Sequence, residues 1–429
     1  MNGSPEERRN LRRVILAVSL LGLAALGNAA RAQDAAVEDT GLSLSIGYTG
    51  DWRRNTTGGM EVGTAYSVML DMGASWTSDN LFSDTRFTTS VSVMHLGGDD
   101  ISGDLIGDIH GVNNIEAPDA WHLYEFWSEF NFGGRANTSL RMGLLDLNAD
   151  FDAPVTSALF VGPVHGIGTE FAQTGSNGPA IFPVTGLGIR LSGEVNENLH
   201  WRVGAFEGTP GDDDEESFAV FDVTRGEGSL LVGEMEYVGE RVNKISLGVW
   251  SYTADFERLD AGLGNGPLAQ DGNKGVYALV DLQLGQVGPA RIDGSLRLGM
   301  ADERFNPIEE CVSATLVMSH PFESRPDDAL GFAVAYGRTG ELYRTVQTLA
   351  GIPAASAETT YELTYRAPLT GWLALVPSVQ LVDNPGADLS MDDAWVVGLR
   401  FELSHEKSWP MLAKRNSQST PSVAKTEGK

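Results

Sequence analysis

From Leu42 to Leu403 the chain alternates apolar and polar residues with period two, the spacing that sends successive side chains of a strand to opposite faces. Leu42, Leu44, Ile46 and Tyr48 alternate with Ser43, Ser45 and Gly47. Similar segments recur near 62–73, 86–94, 121–132, 138–147, 184–193, 199–207, 228–237, 244–253, 275–284, 290–300, 311–319, 329–337, 358–366, 372–382 and 394–404. The pattern predicts about sixteen strands, an even number that allows the sheet to close. The last pair is the clearest. Tyr361, Leu363 and Tyr365 oppose Thr360, Glu362, Thr364 and Arg366, and Trp395, Val397, Leu399, Phe401 and Leu403 oppose Gly398, Arg400, Glu402 and Ser404. Each such strand has one face fit for hydrocarbon and one that carries charge.

A β-sandwich in water produces the same alternation, so the choice rests on other features. Segments of about nine to eleven residues match tilted spans of a bilayer's hydrocarbon layer. Short turns, such as the one around Ala367 to Gly371, alternate with longer polar connections, such as 96–120 and 254–274, which are expected to lie outside as external loops. Tyr48, Trp76, Phe132 and Trp372 lie near segment ends, where an interfacial aromatic girdle belongs. These features predict a closed antiparallel transmembrane β-barrel.

The two ends read differently. Arg8, Arg9, Arg12 and Arg13 precede the apolar VILAVSLLGLAALG, and Ala30-Arg31-Ala32 has the small-x-small form of a signal-peptidase site. Residues 1–32 are therefore expected to be a signal peptide, 33–41 an acidic spacer and 42–404 the barrel. Residues 405–429 carry Lys407, Lys414, Arg415, Lys425 and Lys429 among polar residues, and are expected to be a disordered periplasmic tail.

Composition agrees with a glycine-rich all-β chain. The 429 residues include 51 glycines, with 42% hydrophobic and 21% charged residues; mean hydropathy is -0.13. The formal charge is -28, and without the five Arg and two Glu of residues 1–32 the basic and acidic totals fall from 30 and 58 to 25 and 56, a net -31. Nucleic acid is excluded as a partner on that charge. Cys311 is the single cysteine, and the seven histidines show no metal-ligand spacing. The reading calls for no metal and no cofactor.

One stretch breaks the strand pattern. Between Asp146 and Thr185 lie four prolines, several glycines and no helical or alternating period, a connection longer than compact folds normally carry without a role. Its LDLNADFD, GIGTEFAQTGSNGP and IFPVTGLGIRL closely resemble the shared core of the carbohydrate-selective porins, the OprB-like family of bacterial outer-membrane channels. YEFWSEFNF, SLRMGLLDLNADFD, TTYELTYRAPLTGWLALVPSVQLVDNPG and AWVVGLRFEL look like family segments in family order. Two positions depart from the pattern: Thr169 stands where proline is expected and Ser176 where a charged residue is common. They leave the substrate open. The resemblance implies a barrel of about sixteen strands whose long connection folds inward as a constriction.

It also implies a passive channel for mono- or oligosaccharides in the outer membrane, surrounded by lipid and lipopolysaccharide and inserted by the barrel-assembly machinery, as a monomer or homo-oligomer. Alternatives are a non-selective general porin, or a barrel with an enzymatic or adhesive role. Against an enzyme, no G-x-S-x-G elbow and no phosphate-binding glycine motif followed by Lys-Ser/Thr occurs.

Sugars are neutral and densely hydroxylated, so a selective lumen needs paired donors and acceptors. With Tyr124, Phe126, Phe130 and Phe132 on one face of their segment, Glu125, Trp127, Glu129 and Asn131 fall on the other. Leu140, Met142 and Leu144 turn Arg141 inward; Leu187, Ile189 and Leu191 turn Arg190 inward; Arg202 follows on the next strand. Within the long connection, Glu170 and Gln173 are candidate constriction contacts opposite these arginines. Competing readings stand beside these. Arg and Glu can pair merely to hold the wall, Trp127 can pack beneath the inserted loop, and Asp146, Asn148, Asp150 and Asp152 lack the glycine and glutamate of a calcium loop, which leaves turn chemistry. The Asp212 to Glu216 run reads as a solvated loop tip.

Overall fold

The computed structural model describes residues 40–82, 85–133, 137–211, 228–261, 269–270 and 272–410. Residues 1–32, expected to be a signal peptide, residues 33–39 of the expected spacer, the Asp212 to Glu216 run and residues 411–429 lie outside them.

Sixteen antiparallel strands among the described residues close into one barrel in which each strand pairs with its chain neighbours. The first half comprises β1 (Gly41–Thr57), β2 (Gly63–Phe82), β3 (Thr85–Gly98), β4 (Ala120–Asn131), β5 (Ser139–Leu145), β6 (Gly186–Asn196), β7 (Leu199–Glu207) and β8 (Ser229–Tyr237). The second comprises β9 (Val242–Tyr252), β10 (Lys274–Val287), β11 (Ala290–Ala301), β12 (Ile308–Ser319), β13 (Ala329–Thr339), β14 (Ala357–Thr370), β15 (Leu373–Asp383) and β16 (Ala394–Pro410). Closure is between β16 and β1. Every segment singled out by alternation is one of these strands.

The wall has the polarity of a membrane barrel. On β11, Leu296, Leu298 and Met300 are 44–53% exposed on the outside, while Ser295 and Arg297 between them are 7% and 1% exposed. Apolar outside and polar inside is the reverse of a protein in water, and matches a wall standing in hydrocarbon. Connections alternate in length: two-residue links such as 197–198, 288–289 and 371–372 gather on one rim with the ends of β1 and β16, and 99–119, 146–185 and 253–273 leave the other. Short turns mark the periplasmic side. Trp76, Phe87 and Phe130 form an aromatic row near that rim, with ring centroids 6.0 and 5.0 Å apart, and Trp372 and Trp409 lie exposed nearby.

Two expectations need correction. The tail was expected to begin at His405, but β16 continues to Pro410, pairing His405–Pro410 with Ile46–Gly41 of β1. These residues bury little, as their composition implies; the backbone ladder holds them, helped by Ser43 Oγ to Ser408 Oγ at 2.8 Å and Lys407 Nζ at 5.0 Å over the Trp409 ring. On β4 the alternation slips, because a bulge opposite Ser92 and Val93 inserts Tyr124 between the paired Glu125 and Leu123. Tyr124 is buried, and its hydroxyl donates to Asp146 Oδ2 at 2.6 Å instead of facing lipid with Phe126.

Candidate constriction site

The segment 146–185 lies inside the barrel, and its buried backbone needs hydrogen-bond partners far from any ladder. Carboxylates on the inward faces of the strands supply them. Glu125 accepts from Asp146 N, Glu234 from Asp152 N, Asp281 from Val155 N and Thr156 N, and Glu362 from Val161 N and Gly162 N, at 2.8–3.2 Å. Asp146 accepts from Asn148 N, and Asn148 Nδ2 donates to the carbonyls of Phe151, Asp152 and Gly166, so the Asp/Asn spacing is turn chemistry.

An ionic clamp and an apolar pad complete the attachment. Arg297 of β11 reaches Asp152 at 2.8 and 2.5 Å and Glu170 at 3.1 and 2.7 Å. All three side chains are almost fully buried. Burial lifts Asp152 to about 6 even with Arg297 beside it. Leu147, Phe151 and Phe171 pack on Trp127, Phe206, Trp250, Tyr252 and Tyr277, with Phe171 stacked on Trp250 at 4.9 Å. Wall glycines make the space: a Cβ on Gly299 would lie 1.7 Å from Glu170 Oε1, and one on Gly248 2.0 Å from the Tyr277 ring.

A second segment, 99–119, also enters the lumen, whereas the sequence reading placed 96–120 outside. It begins with a single π-helical turn at Ser102–Ile106, and Ile101, Ile106 and Val112 are fully buried. Glu358 of β14 accepts from Ile109 N and His110 N at 2.8 Å, and from Gly386 N at 2.7 Å. Gln380 Nε2 donates to Val112 O, and Arg400 donates to Asn113 and Asn114. The two segments touch, through Asn114 N to Val161 O at 2.8 Å and Gln173 Nε2 to Ile109 O at 2.7 Å. Burial depresses His110 to about 3, with His165 adding to the effect, and burial likewise depresses His165.

The arginines predicted to face inward do so, within one ladder of alternating charge. Glu129 lies 2.8 Å from Arg141 and 3.3 Å from Arg190, and Asp150 of the inserted segment lies 3.2 Å from each. Arg202 contacts Glu236 at 2.7 Å and Glu234 at 3.2 Å, and Lys244 lies 3.2 Å from Glu236. Arg141 and Arg190 are direct cross-strand neighbours, so the interposed carboxylates relieve a like-charge contact. Burial acts to raise Asp150, but Arg141, Arg190 and Arg202 outweigh it and hold the group below the usual carboxylate range.

The predicted residues do not share one place. Glu129, Arg190 and Arg202 line a polar cavity of about 310 Å³ roofed by Ala149 and Asp150, with Arg141 behind it. Glu125 and Trp127 lie under the inserted segment, and the Arg141 guanidinium stands 4.2 Å over the Trp127 ring. Glu170, expected opposite Arg141, Arg190 and Arg202, is instead buried against Arg297; Gln173 is exposed and bridges to Ile109. Arg297, Asp281, Glu234, Glu358 and Glu362 were not singled out from the sequence. Their inward parity was visible there, but nothing marked which inward residues a loop would cover.

The OprB carbohydrate-selective porin family model matches residues 61–404. This chain belongs to the OprB family of carbohydrate-selective porins. It is 22% identical over 406 residues to Porin B of Pseudomonas aeruginosa, covering 85% of this chain and 87% of that one. The fold is similar to the high-pH structure of Pseudomonas putida OprB, with a TM-score of 0.74, 20% identity and coverage of 85% and 94%. The outer-membrane channel DcaP of Acinetobacter baumannii follows with a TM-score of 0.55 at 10% identity, over 89% of this chain and 100% of that one. The porin is a channel of the outer membrane, crossed by its strands, through which carbohydrates pass by diffusion.

Proposed function

We propose that the narrow section of this porin lies where the inserted segment meets the ladder of Glu129, Arg141, Asp150, Arg190 and Arg202. The supporting observation is that donors and acceptors of both signs interlock there without an excess of either, on an otherwise strongly acidic chain. A neutral polyol exchanges its water for both kinds of group as it passes, whereas a simple ion sheds hydration against an opposing charge. Transport needs no covalent step, so the barrel acts as a channel without catalysis. Gln173, exposed between the two inserted segments, is a second solute contact in this reading. Outside, the apolar belt meets outer-membrane lipid and lipopolysaccharide, and insertion depends on the barrel-assembly machinery.

The test is flux in reconstituted liposomes with a panel of sugars, amino acids and salts. Arg190→Ala is expected to lower the sugar-to-salt flux ratio without closing the pore. An unchanged ratio would place selection elsewhere in the lumen.

A further inference from the structure

The lipid-facing wall carries an apolar groove of about 630 Å³ between two neighbouring rows of outward residues that cross β7 to β11. One row is Val203, Gly233, Val249, Val276 and Met300, in register over five strands. The row beside it runs from Trp201 to Leu298 and has Ala278 between Leu247 and Leu298. Gly233 and Ala278 are gaps among large side chains. Glycine inside a strand weakens it, and marks places where something approaches the backbone. Gly248 and Gly299 are accounted for from inside, by the Tyr277 ring and Glu170. Gly233 faces outward, and a Cβ there would meet only the Val203 and Val249 methyls, at 3.8 and 3.9 Å. The space it leaves open is on the membrane side.

We propose that this groove seats one acyl chain of lipid A, the phosphorylated anchor of lipopolysaccharide, with a lipid A phosphate on Lys274. The proposal rests on the reading that lipopolysaccharide borders the apolar belt, and adds a discrete seat to it. The groove lies within that belt, so hydrocarbon covers it. It also climbs the wall: Trp201 lies three residues beyond Asn198 of one periplasmic link, and Leu298 nine beyond Pro289 of another. Its length is four interstrand spacings, about 19 Å, and on a slant this matches one leaflet, about half of a 30 Å hydrocarbon layer. At its upper end Lys274, two residues beyond Val276 on the same face, is exposed at the extracellular end of β10. Lys274 forms no ion pair among the described residues, and Asp302 near it is held by Arg304 at 2.7 Å. A phosphate of the outer leaflet meets an open cation there. A second copy of the chain fits less well, because two rows over 19 Å offer about 130 Å², far below the roughly 800 Å² per partner of a stable interface.

The test titrates purified lipid A, and separately phosphatidylethanolamine, into the channel in detergent and counts retained lipids by native mass spectrometry. The wild-type channel is expected to retain one lipid A more tightly than any further lipid, and more tightly than phosphatidylethanolamine. Gly233→Leu and Ala278→Leu, which fill the groove with a side chain native to the belt, are each expected to weaken that retention about tenfold, the scale of about two buried methylenes. Lys274→Gln should weaken it about fivefold, the scale of one cation at an anionic membrane surface. All three variants should conduct salt and sugar as the wild type does, because the groove lies outside the lumen, and this also reports their assembly. Lipid A that associates equally well with the wild type and both filled variants overturns the seat and keeps lipopolysaccharide at the belt. Phosphatidylethanolamine held as tightly as lipid A overturns the choice of lipid, and no association with lipid A overturns the seat and the lipopolysaccharide reading together. A wild-type oligomer that Gly233→Leu splits into monomers gives the face to a second copy of the chain and overturns the proposal as well.

Discussion

Segment 146–185 meets the wall with fixed charge and stacked rings, through Arg297 with Asp152 and Glu170 and through Phe171 on Trp250. Segment 99–119 meets it mainly with neutral groups: the amides of Ile109 and His110 on Glu358, the carbonyl of Val112, and the side chains of Asn113 and Asn114 on Arg400. Both solve the same problem, the satisfaction of buried backbone away from any sheet ladder, and both use inward carboxylates to do so. The difference lies in what remains after the amides are paired. The first segment has closed ion pairs and an apolar pad. The second retains buried titratable groups that no fixed cation neutralises: the Asp108 carboxyl lies against Ser102 and the backbone of Gly111, and the His110 ring stands 3.6 Å from Glu358 with its Nε2 unpaired. Burial raises Asp108 to about 6 and Glu116 to about 9. The first segment is therefore tied down by ion pairs, and the second is the one whose seating follows pH above neutrality.

The largest effect is expected from Arg297→Met. Removing this cation leaves Asp152 and Glu170 buried without it, a loss on the order of 3–5 kcal/mol for a broken buried pair. Thermal unfolding should shift down, and single-channel conductance should rise as the segment leaves the wall. A variant of wild-type stability and conductance would show that the clamp does not hold the constriction.

Glu358→Ala should have a smaller and local effect, about 1–3 kcal/mol, because it strips acceptors from three backbone amides. Hydrogen exchange should speed up at Ile109 and His110 while Val161 and Gly162, held by Glu362, keep their protection. Equal loosening of both segments would mean that they seat as one unit and would erase the contrast drawn above.

The pH contrast is the finest of these. Glu116 has a folded value near 9 against an ordinary 4.5, so its contribution to seating is complete below 4.5 and is lost as pH rises toward 9. Asp108, Asp146 and Asp152, raised to about 6, undergo most of this loss between their ordinary value and about pH 7.5. His110 runs the other way: depressed to about 3 from 6.5, it weakens the fold only as pH falls below 6.5. Between pH 7.5 and 9, segment 99–119 should loosen by up to about 1.4 kcal/mol per pH unit, and segment 146–185 should stay nearly constant. Exchange protection of residues 101–115, corrected for the intrinsic rate, reads this directly, and Glu116→Gln should flatten it. A flat wild-type profile would remove the pH-sensitive character of that segment.

The wall was legible in the sequence because strand parity is a local property. Thr360, Glu362 and Thr364 alternate with Tyr361 and Leu363 whatever lies inside the barrel. Parity failed where the backbone itself slipped, at the bulge that turns Tyr124 inward. The lumen was less legible, because what decides it is remote in sequence. His110 N finds Glu358 across 248 positions and Arg297 finds Asp152 across 145. A polar stretch such as 99–119 reads as an external loop until its partners are known. For the same reason Arg141, Arg190 and Arg202 were found by facing alone, while Glu170 was assigned to the lumen when it belongs to the clamp. Glycines at inward parity are the one signal of the lumen that the sequence carries. A Cβ at Gly299 or Gly337 would collide with Glu170 or His110, so these glycines trace the footprint of both segments on the wall.

The central claim is that segment 146–185 sets the width and the selectivity of the pore. The direct measurement is single-channel conductance together with sugar-to-salt flux for a channel in which residues 156–178 are replaced by a short glycine linker, with strands and clamp arginine intact. A barrel of sixteen strands without its inserted segment leaves a wide aqueous channel. Conductance is predicted to rise severalfold and the flux ratio to fall toward that of free diffusion. An assembled variant with wild-type conductance and an unchanged ratio would contradict the account.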